Sequence, residues 1–111
     1  MKKATHQLTK VHNRNLVFQT IYDQEKISRA EIARCTGLTR TTVSELVAVL
    51  LSEGLVQEVG LGASQGGKAP VLLSIIPDSR CLLALDLAQS EFRGTVVNLR
   101  GKILHRAQAA V

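Results

Sequence analysis

The 111-residue chain has very few aromatics: two Phe, one Tyr and no Trp, 3% in all. Any core must therefore be aliphatic, built from Leu, Val, Ile and Ala. The same scarcity argues against single-strand or RNA binding by base stacking, which needs rings on the surface. Cysteine is also sparse. Cys35 and Cys81 lie far apart in different expected elements, at no metal or redox spacing, and read as two small buried or half-buried side chains. His6, His12 and His105 are scattered, none at ligand spacing from another His or Cys, and read as ordinary surface or capping residues. No metal and no cofactor is expected. No apolar run approaches the roughly 20 residues that span a bilayer, and no apolar stretch follows Lys2 and Lys3 as it would in a signal peptide. A cytoplasmic protein without a membrane partner is expected.

What is present points to a globular chain: 45% of residues are hydrophobic and 21% charged. The length suits one ordinary domain, or one small domain plus a piece of another. The formal charge of +5 and the pI of about 9.7 favour a polyanionic partner, nucleic acid or an anionic membrane surface.

Residues 1–10 are polar and are expected to form a flexible N-terminus. From Val11 the apolar positions take helical spacing, with Val11, Leu16, Val17 and Ile21 on one broad face, predicting a first helix through about Gln24. Ser28 with Glu31 three residues on is a capping-box pattern and predicts a second helix over Arg29–Cys35 that buries Ile32 and Ala33. Gly37 is placed to end it, and Leu38 can plug back into the core. Thr39 is the next cap. A third helix follows from Arg40 to about Glu53, with Val43, Leu46, Val47, Leu50 and Leu51 inward. After Gly54 the period changes. Leu55–Val59 and Val71–Ile76 read as strands around a loop over 60–70 that is rich in glycine. Pro77–Ser79 is a turn and a candidate domain boundary. Beyond it, Cys81–Leu87, Thr95–Leu99 and a strand starting at Lys102 predict an antiparallel meander.

Three helices and a hairpin, with a Gly-containing turn between helices two and three, are the layout of a winged helix-turn-helix. The expected fold class is α+β, with this domain over residues 11–76 and an incomplete meander over 77–111. A major groove ~12 Å wide admits a helix only if its outward side chains are small. Arg40, Thr41, Ser44 and Ala48 meet that requirement. Arg40 can donate bidentately to guanine, Thr41 and Thr42 can reach bases or phosphates, and the helix start at Thr39 favours a phosphate nearby. Arg29 and Arg34 are candidate phosphate contacts from the second helix, and Arg14 from the first. Lys68, at the glycine-rich tip, is placed to lie along the minor groove. Glu45 reads as a helix-surface residue. Neither paired carboxylates nor a nucleophile with a base emerges, so no catalytic residues are expected. Asp86, alone in an apolar strand, reads as a carboxylate satisfied by a backbone or Arg partner.

The segments Ser28–Arg34, Thr36–Val43, Leu51–Val56 and Gly66–Pro70, taken together, resemble the N-terminal half of ROK-family transcriptional regulators. The resemblance runs from about Val11 to His105. It implies a winged helix followed by the opening strands of an actin-like sugar kinase domain. It also implies double-stranded DNA as partner, a homodimer in the full-length protein, repression of sugar-metabolism genes, and a sugar effector site beyond Val111. Kinases of the family carry an Asp-x-Gly-x-Thr loop at the first strand. Here Asp86–Leu87–Ala88–Gln89–Ser90 keeps the Asp but has Ala88 for Gly and Ser90 for Thr, so ATP use is not expected. Family wings usually carry Arg where this chain has Lys68, a point charge without the planar fork.

Two other readings remain at this level. One is a winged helix that binds protein, since residues 1–70 carry nine Lys and Arg against six Asp and Glu, a net of only +3. The other is a remnant of a sugar kinase.

Overall fold

The computed structural model describes residues 2–64 and 66–110. Met1, Gln65 and Val111, expected in the N-terminal segment, the hairpin loop and the meander, lie outside the described residues. The chain divides into two compact units, residues 1–75 and 76–111.

In the first unit the order is α1 (Lys2–Gln24), β1 (Ile27–Ser28), α2 (Arg29–Thr36), α3 (Arg40–Ser52), β2 (Val56–Leu61) and β3 (Val71–Ile75). Residues 1–10 are expected outside regular structure, but α1 is continuous from Lys2. Nothing in the opening residues breaks a helix: there is no Gly or Pro before Gly37, and Thr9 donates its hydroxyl back to the Thr5 carbonyl. Local chemistry sets the other helix ends. Ser28 Oγ accepts from the Glu31 N–H at 3.2 Å and caps α2. The reciprocal half of the capping box is not formed, because the Glu31 carboxylate pairs with Arg34 on the same helix. Gly37, at φ 75°, ends α2 and donates its N–H to the Ala33 carbonyl, a left-handed position where a Cβ is costly. Thr39 Oγ1 accepts from the Thr42 N–H and caps α3.

The sheet order is β1-β3-β2, all antiparallel. β1 is only two residues long and is absent from the sequence expectation; its Ile27 and Ser28 pair with Leu73 and Leu72. β2 runs past the expected loop start, because the register shifts between Glu58 and Gly60 and leaves Val59 as the extra residue of a bulge. Gly60 takes φ 131° there. The core is wholly aliphatic: Val17 and Ile21 of α1, Ile27 of β1, Ile32 of α2, Val43, Val47 and Leu50 of α3, Val56 of β2, and Leu73 and Ile75 of β3. Ile32 is the one buried residue of α2, and enclosing such a side chain contributes about 1.5–3 kcal/mol. Val11, expected on the inward face of α1, is exposed because the helix has already run past the core there.

The second unit holds a 3-10 turn at Pro77–Ser79 and an antiparallel meander, β4 (Cys81–Leu87), β5 (Glu91–Asn98) and β6 (Ile103–Ala110). Every residue of β4 and β6 is exposed. Asn98 is buried and organises the β5–β6 turn. Its side-chain oxygen accepts from the Arg100 and Lys102 N–H groups, and its amide donates to Asp78 at 2.8 Å.

Cys35 and Cys81 are both exposed, against the expectation of buried or half-buried thiols. Ile32 fills the inward position of α2, and Cys81 sits on a strand open on both faces. The three histidines are exposed. Asp86 stands opposite Arg93 in register, yet Arg93 bonds to Glu91 instead, so the expected Arg partner is engaged elsewhere. Among the described residues, no helix is long and apolar enough to cross a membrane, and no group of three or more His, Cys, Asp or Glu is placed to hold a metal ion.

Candidate nucleic-acid interface

The turn Gly37–Leu38–Thr39 joins the end of α2 to the start of α3. The Leu38 N–H donates to Thr36 Oγ1, and Leu38 is half-buried, which anchors the turn. The outward face of α3 is then a shallow surface of Arg40, Thr41, Ser44, Glu45 and Ala48. Apart from the charged residues at its start and middle, it is built from side chains no larger than Thr. Thr39 and Thr42 are drawn into the cap itself: the Thr39 hydroxyl donates to Thr42 Oγ1 at 3.0 Å as well as accepting from its N–H. Thr41 stays exposed.

The hairpin between β2 and β3 closes at its base through the Gly62 N–H, which donates to the Pro70 carbonyl at 2.7 Å. Lys68 is exposed on the loop beyond that closure. Two clefts join this loop to the helices. One, of about 370 Å³, is lined by Arg29, Arg40, Ser44 and Lys68 with Ser28 and Pro70. The other, of about 650 Å³, is lined by Lys26, Arg34, Arg40 and Lys68 among others, with Glu31. Arg40 belongs to both clefts and to the α3 face, so the wing and the outward face of α3 meet at this residue.

The remaining expected contacts are held by acids within the same unit. Arg34 pairs with Glu31, Arg29 reaches Glu58 of β2 at 3.7 Å, and Arg14 is bonded to Glu53 at the far end of α3. Arg14 is therefore not brought to the cleft that gathers Arg40 and Lys68. Lys26, which no sequence pattern marks, does line that cleft. Only the pairing of Ile27 and Ser28 with β3 brings it there.

Comparisons with known proteins agree with this architecture. Residues 16–62, from α1 through β2, match the MarR family. Over 97% of its length the chain is 36% identical to a putative xylose repressor of Caldicellulosiruptor sp. (strain Rt8B.4), covering 27% of that protein. It is 36% identical over 96% of its length to the xylose repressor of Caldicellulosiruptor bescii, and 33% identical over 94% to that of Bacillus subtilis (strain 168), again covering 27% of each. The chain thus spans about a quarter of the length of these relatives. A crystal structure of a ROK family transcriptional regulator, described as a homolog of the E. coli MLC protein, has the same fold. It superposes with a TM-score of 0.76 at 19% identity, over 93% of this chain and 26% of that one. With its winged helix-turn-helix, its three-stranded meander and repressor relatives matched along nearly its whole length, the chain is similar to the N-terminal part of xylose repressors and shares its fold with the N-terminal part of a ROK family transcriptional regulator.

Proposed function

We propose that the chain is the DNA-reading part of a transcriptional repressor of sugar-metabolism genes. The observation that carries this reading is the meeting of α3 and the wing at Arg40. Small polar side chains lie on one side of it, and a cleft shared with Lys68 lies on the other. Thr41, Ser44 and Ala48 are small enough for α3 to enter the major groove. Arg40 then stands where a guanine edge passes, and Lys68 reaches the backbone or minor groove alongside. Thr39 and Thr42 serve α3 as its cap, and Arg29 and Arg34 flank the cleft as ion-paired cations. Arg14 acts structurally.

The names of the relatives support a pentose of the xylose class as effector, bound by a part of the protein beyond this chain. A homodimer reading two half-sites and a cytoplasmic location complete the reading. The chain binds rather than catalyses: the relatives are named repressors, and Ala88 and Ser90 depart from the phosphate loop of the family's kinases.

The test is a fluorescence anisotropy titration against a pool of random duplex DNA at several salt concentrations, followed by selection and sequencing of the tightest binders. Steeply salt-dependent affinity and a consensus sequence are expected. Arg40→Ala should weaken binding to the selected sequence more than to random duplex, by about 1–3 kcal/mol of lost discrimination. A folded chain with no salt-dependent binding would favour the protein-binding winged helix instead.

A further inference from the structure

We propose that the cleft between the wing and the α1–β1 turn is a clamp for one sugar-phosphate strand of the duplex, with Lys26 as its second lysine opposite Lys68. The proposal rests on the DNA-reading function above and adds a binding residue to it.

Ion pairing divides the cations of the first unit into two groups. Among the described residues of the first unit, Arg14, Arg29 and Arg34 each face an acid of the same unit. Lys26, Arg40 and Lys68 have no ion-pair partner, and all three line the same cleft of about 650 Å³. A folded chain gains nothing from holding three unpaired cations around one concavity, where each repels the others. A polyanion threading the concavity reverses the sign of that interaction. The one acid on the cleft wall, Glu31, is already neutralised by Arg34.

Lys26 is also held in place. Glu25 takes φ 65°, the Lys26 N–H donates to the Gln24 carbonyl at 2.7 Å, and Ile27 and Ser28 are fixed in β1 against β3. The backbone of Lys26 is thus fixed on both sides, so little ordering remains to be done when a phosphate arrives. Lys68, on the glycine-containing loop, is the adjustable jaw, and Arg40 marks where the clamp gives way to the base-reading face of α3. The strand held here is the backbone flanking the major groove, so Lys26 contributes affinity without sequence preference.

The experiment measures the salt dependence of affinity for a selected and a random duplex with the whole chain and its Lys26→Gln, Lys68→Gln and Lys10→Gln variants. Lys10 is an exposed cation of α1 that does not line the cleft. Loss of one phosphate contact should flatten the slope of log K against log salt by about 0.9, so that affinity falls roughly threefold less between 50 and 200 mM salt. Lys26→Gln and Lys68→Gln should each show this, equally on both duplexes, and Lys10→Gln should not. A wild-type slope in Lys26→Gln, with the parent chain still binding in a salt-dependent way, overturns the clamp and leaves the DNA-reading function standing. No salt-dependent binding by the parent chain overturns both. Saturable shifts of the Lys26 and Lys68 amide signals with millimolar inorganic phosphate, in the absence of DNA, would mark a free-anion site and overturn the assignment to the duplex backbone.

Discussion

Arg14, in the middle of α1, is bonded through its guanidinium to the carboxylate of Glu53 at the C-cap of α3. α3 is 13 residues long, so this contact lies about 20 Å along the helix from Arg40. The pair ties the two longest helices of the unit together at the end remote from the cleft.

Arg14→Gln should therefore leave the salt dependence of DNA binding unchanged while lowering stability. Both side chains are more than a third exposed, at 36% and 39%, so screening by solvent limits the loss to about 0.2–1 kcal/mol. Denaturant unfolding and anisotropy on the same variant separate the two effects. A flattened salt slope at unchanged stability would make Arg14 a phosphate contact after all.

What could be read from the sequence was mostly local. Ser28, Gly37 and Thr39 mark helix boundaries through interactions that span only a few residues, and each occupies the cap position its type predicts. The pairing of Arg34 with Glu31 is of the same local kind. β1 was not legible, because two residues carry no periodicity and acquire a strand conformation only against Leu72 and Leu73. The bulge at Val59 was hidden for a related reason: it is a property of the register with β3, not of the residue. The candidate site divides in the same way. Arg40 and Lys68 stand out individually by charge and position. That Arg14 and Arg29 are occupied by Glu53 and Glu58, and that Lys26 shares a cleft with Lys68, depends on tertiary closeness that no spacing encodes.

Glu25 is the one non-glycine residue with positive φ among the described residues, at 65°. It follows directly on α1, donating its N–H to the Ile21 carbonyl, at a position where glycine usually ends a helix. A side chain there costs roughly 1–2 kcal/mol, which glycine avoids while giving back about 0.5–1 kcal/mol in unfolded-state entropy. Glu25→Gly should therefore stabilise the first unit by about 0.5–1 kcal/mol and raise its melting temperature by a few degrees. Thermal unfolding followed by far-UV circular dichroism checks it. A lowered melting temperature would mean that the Glu25 side chain contributes more than its backbone costs.

The meander presents its apolar side openly. Leu83, Leu85 and Leu87 of β4 share a face with Val96 and Phe92 of β5, and the three leucines are 65–68% exposed. A three-stranded sheet needs an apolar layer over one face before its strands resist opening. Here Asn98 is the only buried residue of the three strands. The first unit, by contrast, buries ten aliphatic side chains, Leu73 among them. Amides of β4, β5 and β6 should thus exchange hydrogen well before those of α1, α3 and β3, through openings that leave the first unit intact. Hydrogen exchange read by mass spectrometry on dilute protein tests this, with the Lys102 N–H that donates to the Asn98 side chain as the slowest amide expected in the second unit. Equal protection in both units would mean either that the leucine face is covered or that the sheet resists opening without cover. Raising the protein concentration would then show whether a second copy covers it: protection that grows with concentration means association through β4, and protection independent of it means that the sheet is stable uncovered.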